Sequence, residues 1–437
     1  MLCACRPGTF DKFVGESRAT DAGGVDSGVD AAVVTPAPDA GRGTGGSAGG
    51  NRDAGGSGRD AAAGSGAAGT SGSGAADTGA DAEPLDGGAD AGAAIDSGSS
   101  DAGSETPCLR ADDPSSVRLS PSDLGVMPTP AWVSSRYVER SVAVDDRVLW
   151  LFGMSEHRSM AAWSEIEAAP AAPPQLDEQM PLVPLLPAAA SPNADPVNVT
   201  AVVAADDRVA LIFFAYSPFL QPIQVGLARI ERDQRQAQVV RALGSFFVYS
   251  AAPFRPAFGT APVIEQTATG TFLYLYSCNP HPDLPEESIG GILDRPCRVA
   301  RVPLGDVADP ALYRYWNGLD WGTDAASAVV VIRGVPGGFS VSFNRYLEKY
   351  LAVHSGSSNN LILRWADRPQ GPWHSLGAVD TLPGGGALGI SLYGTEHAAL
   401  RDACEQVVYL SYVRDFLDNA GMQIAPSETR LVRVQLE

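Results

Sequence analysis

The chain has 437 residues, of which 19% are charged, and carries a formal net charge of −20. Acids exceed bases and no basic patch stands out, so nucleic acid and anionic membrane surfaces are excluded as partners. Length alone allows two or three domains, and composition reduces that to one.

At the start, Leu2-Cys3-Ala4-Cys5 matches a bacterial lipobox, with Cys5 as the residue that takes the lipid. No apolar run accompanies it, so neither a signal peptide nor a membrane span is expected within the sequence as given. A lipobox ends a signal peptide, and the expectation is a start upstream of Met1. Residues 1–13 are read as this lipobox region.

Residues 14–107 read as a disordered linker. No aromatic residue falls between Phe13 and Trp132, and the segment is almost entirely Gly, Ala, Ser, Asp and Thr. The triplet Asp-Ala-Gly recurs at Asp21, Asp39, Asp53, Asp90 and Asp101. Such a segment cannot bury enough apolar surface to offset the entropy of ordering its backbone. It is expected to be an extended, self-repelling tether. Compositional drift without a selected role gives the same sequence, and a tether needs only length and solubility.

Residues 108–437 read as the folded domain. Two ten-residue units, AVDDRVLWLF from Ala143 and AADDRVALIF from Ala204, are nearly identical. Each is an apolar strand, a tight Asp-Asp-Arg turn and a second apolar strand. Looser copies follow, turning at Thr269-Gly270, near Tyr346 and near Cys404. After each hairpin comes a polar loop and a further strand, in four units with Arg set between apolar residues: VGLARIE, CRVARVPL, NLILRWAD and TRLVRVQL. No 12-residue helical period appears. Five antiparallel repeats of this kind predict an all-β, five-bladed β-propeller. Six blades is the rival, because residues 108–136 have room for one more strand pair.

The turn WADRPQGPWH, Trp365 to His374, follows the third strand of the fourth repeat. Its prolines and glycine force a reversal, and Trp373 is expected to pack over the gap to the next blade. The other reading of Trp373 is a ring that stacks on carbohydrate.

Besides Cys3 and Cys5, the cysteines are Cys108, Cys278, Cys297 and Cys404. Four allow three pairings. Cys278 and Cys297 flank one polar loop and are natural partners, which leaves Cys108 with Cys404. Four free thiols are the alternative. No CxxC occurs and the five histidines are scattered, so neither a metal nor another cofactor is expected.

GGFSVSFNRYLEKYLAVHS followed by LILRWADRPQGPWHS resembles a signature of secreted five-bladed propellers related to glycoside hydrolases. YRYWNGLDWG from Tyr313 resembles an aromatic-rich hairpin that ends a blade in that group. LYGTEHAAL from Leu392 resembles its last-blade motif, with Ala398 where the group has proline. The resemblance covers residues 130–437. It implies the propeller fold and, for some relatives, furanosidase activity on arabinan-type polysaccharide.

In such a fold the site would sit in the central funnel. Glycosidic hydrolysis needs two carboxyls about 5–9.5 Å apart. Glu396 is the leading candidate, beside His397 at what reads as the start of the fifth inner strand. An acid there is costly to bury unless it is paired or used. Arg140, in the neighbouring first blade, is the expected companion. Ion pairing with it would lower the Glu396 pKa and suit a base or a binding group. Glu156 is the possible second acid. Arg140, His397, Asn198 and His157 are the expected substrate-binding residues. The paired aspartates Asp145, Asp146, Asp206 and Asp207 fall at turns and are read as local caps. The first inner strand, YVERSVAV, lacks the Asp that often opens that strand in catalytic relatives, which puts an acid/base pair in doubt.

Two functions follow. One is a surface-tethered glycoside hydrolase acting on furanose-containing polysaccharide. The other is a non-catalytic propeller lipoprotein that binds glycan or protein. Either would be exported, at the cell surface, on the outer membrane or secreted. It would be a monomer, meeting a membrane only through its lipid anchor and a polysaccharide or cell-surface glycan as partner.

Overall fold

The computed structural model describes residues 108–128, 137–153, 159–177, 184–193, 197–217, 223–279, 295–336, 338–386, 389–419 and 423–437. Of the two units into which the chain divides, residues 18–105 lie wholly outside the described residues. The lipobox with Cys5 and the linker 14–107 lie outside them as well.

The strands form five larger sheets. The earliest, β1 (Leu119–Val126), belongs to the last of them. Sheet one holds β2 (Tyr137–Val144), β3 (Arg147–Gly153) and β4 (Met160–Glu165). Sheet two holds β5 (Asn198–Ala204), β6 (Val209–Tyr216), β7 (Gln224–Glu231) and β8 (Gln238–Arg241), with β9 (Phe247–Val248) also on β7. A small hairpin of β10 (Ser250–Ala251) and β11 (Phe254–Arg255) follows. Sheet three holds β12 (Pro262–Thr267), β13 (Gly270–Ser277), β14 (Arg298–Pro303), β15 (Arg314–Trp316) and β16 (Trp321–Gly322). Sheet four holds β17 (Phe339–Asn344), β18 (Lys349–Ser355), β19 (Asn360–Ala366) and β20 (His374–Asp380). Sheet five holds β21 (Gly385–Gly386), β22 (Ser391–Glu396), β23 (Val407–Leu417) and β24 (Gln423–Leu436), with β1 outside β24. Among the described residues, all strand pairs are antiparallel except β21 with β23. Among the described residues there are 3-10 turns but no α-helix.

The apolar runs explain how the sheets stack. Successive side chains on a strand point to opposite faces, and the second strand of each sheet is apolar on both. Along β3, Leu149 and Leu151 pack toward sheet two, while Val148, Trp150 and Phe152 pack toward sheet five. On β6, Leu211, Phe213 and Ala215 face sheet three, while Ala210, Ile212 and Phe214 face sheet one. Strands β13, β18 and β23 divide in the same way. Strands covered on both faces read as continuous rather than alternating apolar runs. Each such side chain contributes about 1.5–3 kcal/mol when fully buried.

The result is a closed ring. The inner strands touch in one cycle, β2 to β5, β12, β17, β22 and back to β2. Five apolar clusters fill the gaps between consecutive sheets, the last joining sheet five to sheet one. The protein is an all-β propeller. Residues 119–126 make no further sheet. They pair with β24 from Leu119 opposite Leu436 to Val126 opposite Arg430, so both ends of the domain share sheet five. A Cys108–Cys404 disulfide, with a sequence separation of 296, ties the same ends together. A second bridge, Cys278–Cys297, closes the β13–β14 connection.

Two local expectations change. The fifth inner strand is Ser391–Glu396 and not the segment after His397, which forms a 3-10 turn at Ala398–Leu400. Trp373 packs on the cluster between sheets three and four, so the gap it covers is to the preceding sheet. Trp365 stacks on His374 with ring centroids 4.6 Å apart.

Candidate functional site

Glu396 is the last residue of β22, at the end of the ring that carries the β2–β3 and β17–β18 hairpins, and not at the start of the strand. Its partner is Arg401, not Arg140. Oε1 accepts from Arg401 Nε at 2.8 Å and Nη2 at 2.7 Å, and Oε2 accepts from Ser342 Oγ at 2.5 Å. Side-chain exposure is 1% for Glu396 and 5% for Arg401. Arg401 Nη1 donates to Phe343 O at 2.6 Å and pairs with Glu405 at 2.7 Å, and Glu405 pairs with Arg345 at 2.7 Å. Burial works to raise the Glu405 pKa, but Arg401 and Arg345 outweigh it and hold it below the usual value. The network clips β17 of sheet four to the turn after β22. Both Glu396 oxygens are thus engaged by neighbouring side chains.

His397 is fully buried. Its Nδ1 lies 2.8 Å from Ser141 Oγ, its Nε2 2.8 Å from Ser411 Oγ, and its ring 4.9 Å from Trp150. Burial and then Arg140 push its pKa down to about 3, so the ring stays neutral. It joins sheet one to sheet five. Arg140, also buried, donates from Nε to Thr200 O at 3.2 Å, and burial lowers its pKa to about 10. Asn198 is the half-buried first residue of β5. Glu156 and His157 lie outside the described residues. Asp145 and Asp146 pair with Arg232 of the neighbouring sheet, and Asp206 Oδ1 accepts from the amides of Arg208 and Val209.

The opposite end of the ring is the mouth, where inner strands begin and second strands end. Tyr393, near the start of β22, has φ +62°, a left-handed conformation that costs a side-chain-bearing residue about 1–2 kcal/mol. Close packing imposes it. A Cβ on Gly338 would lie 2.3 Å from the Tyr393 carbonyl carbon, and Gly394 N donates to Ser355 Oγ at 2.7 Å. Tyr393 is 8% exposed and lies in electrostatic reach of Arg295, itself 5% exposed. Arg295 lies in the segment that leads into β14 of sheet three, and Tyr393 in β22 of sheet five. Burial lowers the Arg295 pKa to about 10, which leaves it charged at neutral pH.

Further basic side chains lie at this end of the ring. His354, at the end of β18, is buried with Nδ1 2.7 Å from Ser355 O. Arg364 Nε, which can only donate, lies 3.2 Å from His354 Nε2. The proton therefore sits on Nδ1. Burial, then Arg364, lowers the His354 pKa to about 4 despite the bond to Ser355 O. Arg364 Nη2 reaches Arg333 O at 3.4 Å. Arg298, the first residue of β14 and 3% exposed, stands 4.6 Å over the Phe254 ring and donates from Nε to Ala328 O at 3.1 Å. Arginine forks beside aromatic rings suit the hydroxyls and oxyanions of a sugar. Sequence reasoning missed these residues. The Arg in CRVARVPL and NLILRWAD was visible, but it read as a feature of the strand.

Residues 270–396 match the family model described as Domain of unknown function (DUF4185). No curated protein matches the chain. Solved structures that the chain resembles include glycoside hydrolases. An alpha-L-arabinofuranosidase from Podospora anserina in complex with cellotriose is 10% identical, with a TM-score of 0.43, over 74% of this chain and 99% of that one. A GH62 alpha-L-arabinofuranosidase catalytic domain from Coprinopsis cinerea is 13% identical, with a TM-score of 0.42, over 74% and 98%. An exo-beta-1,3-galactanase from Phanerochaete chrysosporium with beta-1,3-galactotriose is 11% identical, with a TM-score of 0.41, over 72% of this chain. The chain spans 63% of that galactanase's length.

Proposed function

We propose that the domain is an exported carbohydrate-binding propeller that takes a polysaccharide or cell-surface glycan at its mouth. The observation that carries this reading is a set of two buried polar side chains at the mouth, Arg295 ahead of β14 and Tyr393 on β22, the second on a left-handed backbone. Strain of this kind persists only where the surroundings enforce it, and it clusters at ligand sites. Two disulfides fit an oxidising compartment. Residues 14–107 would be the tether and Cys5 its lipid anchor.

Binding is favoured over hydrolysis because, among the inner-strand carboxylates whose side chains are described, Glu265 and Glu396 are both engaged. Glu265 accepts from Tyr274 at 2.5 Å and from Tyr350 at 2.8 Å, and Glu396 is held by Arg401. A hydrolase of arabinan-type furanose polysaccharide is the second reading. It is favoured by the place of Glu156 in the sequence, between β3 and β4. The test presents the full chain with a panel of polysaccharides and follows both binding and released reducing sugar. The expected result is binding without release, weakened about tenfold or more by Arg295→Gln. Release of sugar would replace binding by hydrolysis, and no binding to any glycan would end the proposal.

A further inference from the structure

We propose that Arg298 and Arg333, with Phe254, form an oxyanion subsite on the rim between sheets two and three, which takes the carboxylate or sulfate ester of an acidic glycan. The inference rests on the glycan reading and names the substrate class. Arg298 lies on the face of β14 turned toward sheet two, beside Ala300 of the cluster shared with that sheet. Its Nε is bonded to Ala328 O, but among the described residues its buried Nη1 has no hydrogen-bond partner. An orphaned buried donor on a charged group is unfavourable until a partner satisfies it. Among the described residues, no carboxylate forms an ion pair with Arg298, Arg333 or Arg364. That is notable in a chain with 51 acids and 31 bases.

Arg333 is exposed and close enough to Arg298 for the two like charges to act on each other. Two cations held together without an anion repel, and an oxyanion between them would relieve the repulsion while satisfying Nη1. The Arg333 segment is fixed from behind. The bridge between Cys297 and Ile332 sets its register beside Arg298, and Arg364 binds its carbonyl. Phe254, under the Arg298 guanidinium, gives the subsite an aromatic wall, and Tyr249 stands edge-on to it at 6.4 Å. A sugar ring carrying a charged group fits a floor of this kind better than a free ion does, because the wall can take its apolar face.

The experiment titrates the full chain with a galacturonic acid trisaccharide, a sulfated galactan oligosaccharide and neutral beta-1,3-galactotriose. The expected result is that at least one acidic ligand binds about tenfold or more tightly than the neutral one, and less tightly as salt is raised. Arg333→Ala, at an exposed position, should remove that preference and leave neutral binding intact. Arg298→Lys, which keeps the charge and loses the fork, should weaken it too. Whichever acidic ligand responds identifies the source of the oxyanion. Equal binding of acidic and neutral ligands, or a preference unchanged in Arg333→Ala, would overturn the subsite and leave the glycan reading standing. Failure of all three ligands and of the polysaccharide panel would overturn both.

Discussion

The two ends of the ring treat buried arginine in opposite ways. At the hairpin end, Arg401 is shared between Glu396 and Glu405, and its remaining donors reach Ser342 and the Phe343 carbonyl. At the mouth, Arg298 keeps an orphaned donor and a like-charged neighbour. A charge whose every donor is taken holds structure together. A buried charge with a donor left over is the one with something to offer a ligand. Glu396, the acid that sequence reasoning placed in the site, is one of the partners that occupy Arg401.

The largest effect should come from breaking the paired end. Arg401→Met leaves Glu396 buried without its counter-ion and is expected to destabilise the domain by about 3–5 kcal/mol in urea unfolding. Glycan affinity of the folded fraction should not change. A small loss of stability would mean that the two ends differ less than the geometry says.

Opening the ring comes next. Cys404→Ser removes the bridge to Cys108 and should cost about 2–4 kcal/mol on chain-entropy grounds. The loss should be measurable as a lower Tm, with the mouth residues unaffected. Unchanged stability would show that pairing of β1 with β24 closes the ring without help.

Acid should act on His354 and His397 alike. Burial depresses both, to about 4 and about 3. The unfolded chain then takes up protons that the folded chain refuses as pH falls through 6.5. Stability contributed by each is full above about pH 6.5 and declines by about 1.4 kcal/mol per pH unit down to its folded pKa. In His354→Gln the slope between pH 6.5 and 4 should flatten. A slope identical to that of the parent would place the acid sensitivity elsewhere.

The smallest effect is expected from removing residues 1–105. A chain that starts at Thr106 should melt within about 1 °C of the full chain, because the removed segment lacks the apolar residues to pack on the domain. A drop of several degrees would contradict its reading as a tether.

The architecture was legible where burial dictates residue type. RVLWLF and VALIFF announce strands apolar on both faces because each lies between two other sheets. The Asp-Asp-Arg turns mark the hairpins because Asp206 caps the amides after it. The fifth inner strand was illegible for the opposite reason. Its pairing shifts register between Leu392 and Thr395, Tyr393 is left-handed, and Gly394 lies against Ser355. None of this has an alternating pattern. The site was harder still. Arg401 sits five residues beyond Glu396, across a 3-10 turn that composition does not reveal. Arg298 and Arg333 meet only through the bridge of Cys297 to Ile332.

The central claim separates a structural end from a binding end, and Glu396→Gln tests it most directly. Tm and affinity for the best ligand of the polysaccharide panel are measured on the same preparation. The account predicts a lower Tm and an affinity unchanged within about twofold, because the substitution weakens a buried ion pair and touches no ligand. An unchanged Tm with binding or turnover lost about a hundredfold would put Glu396 in the chemistry and contradict it.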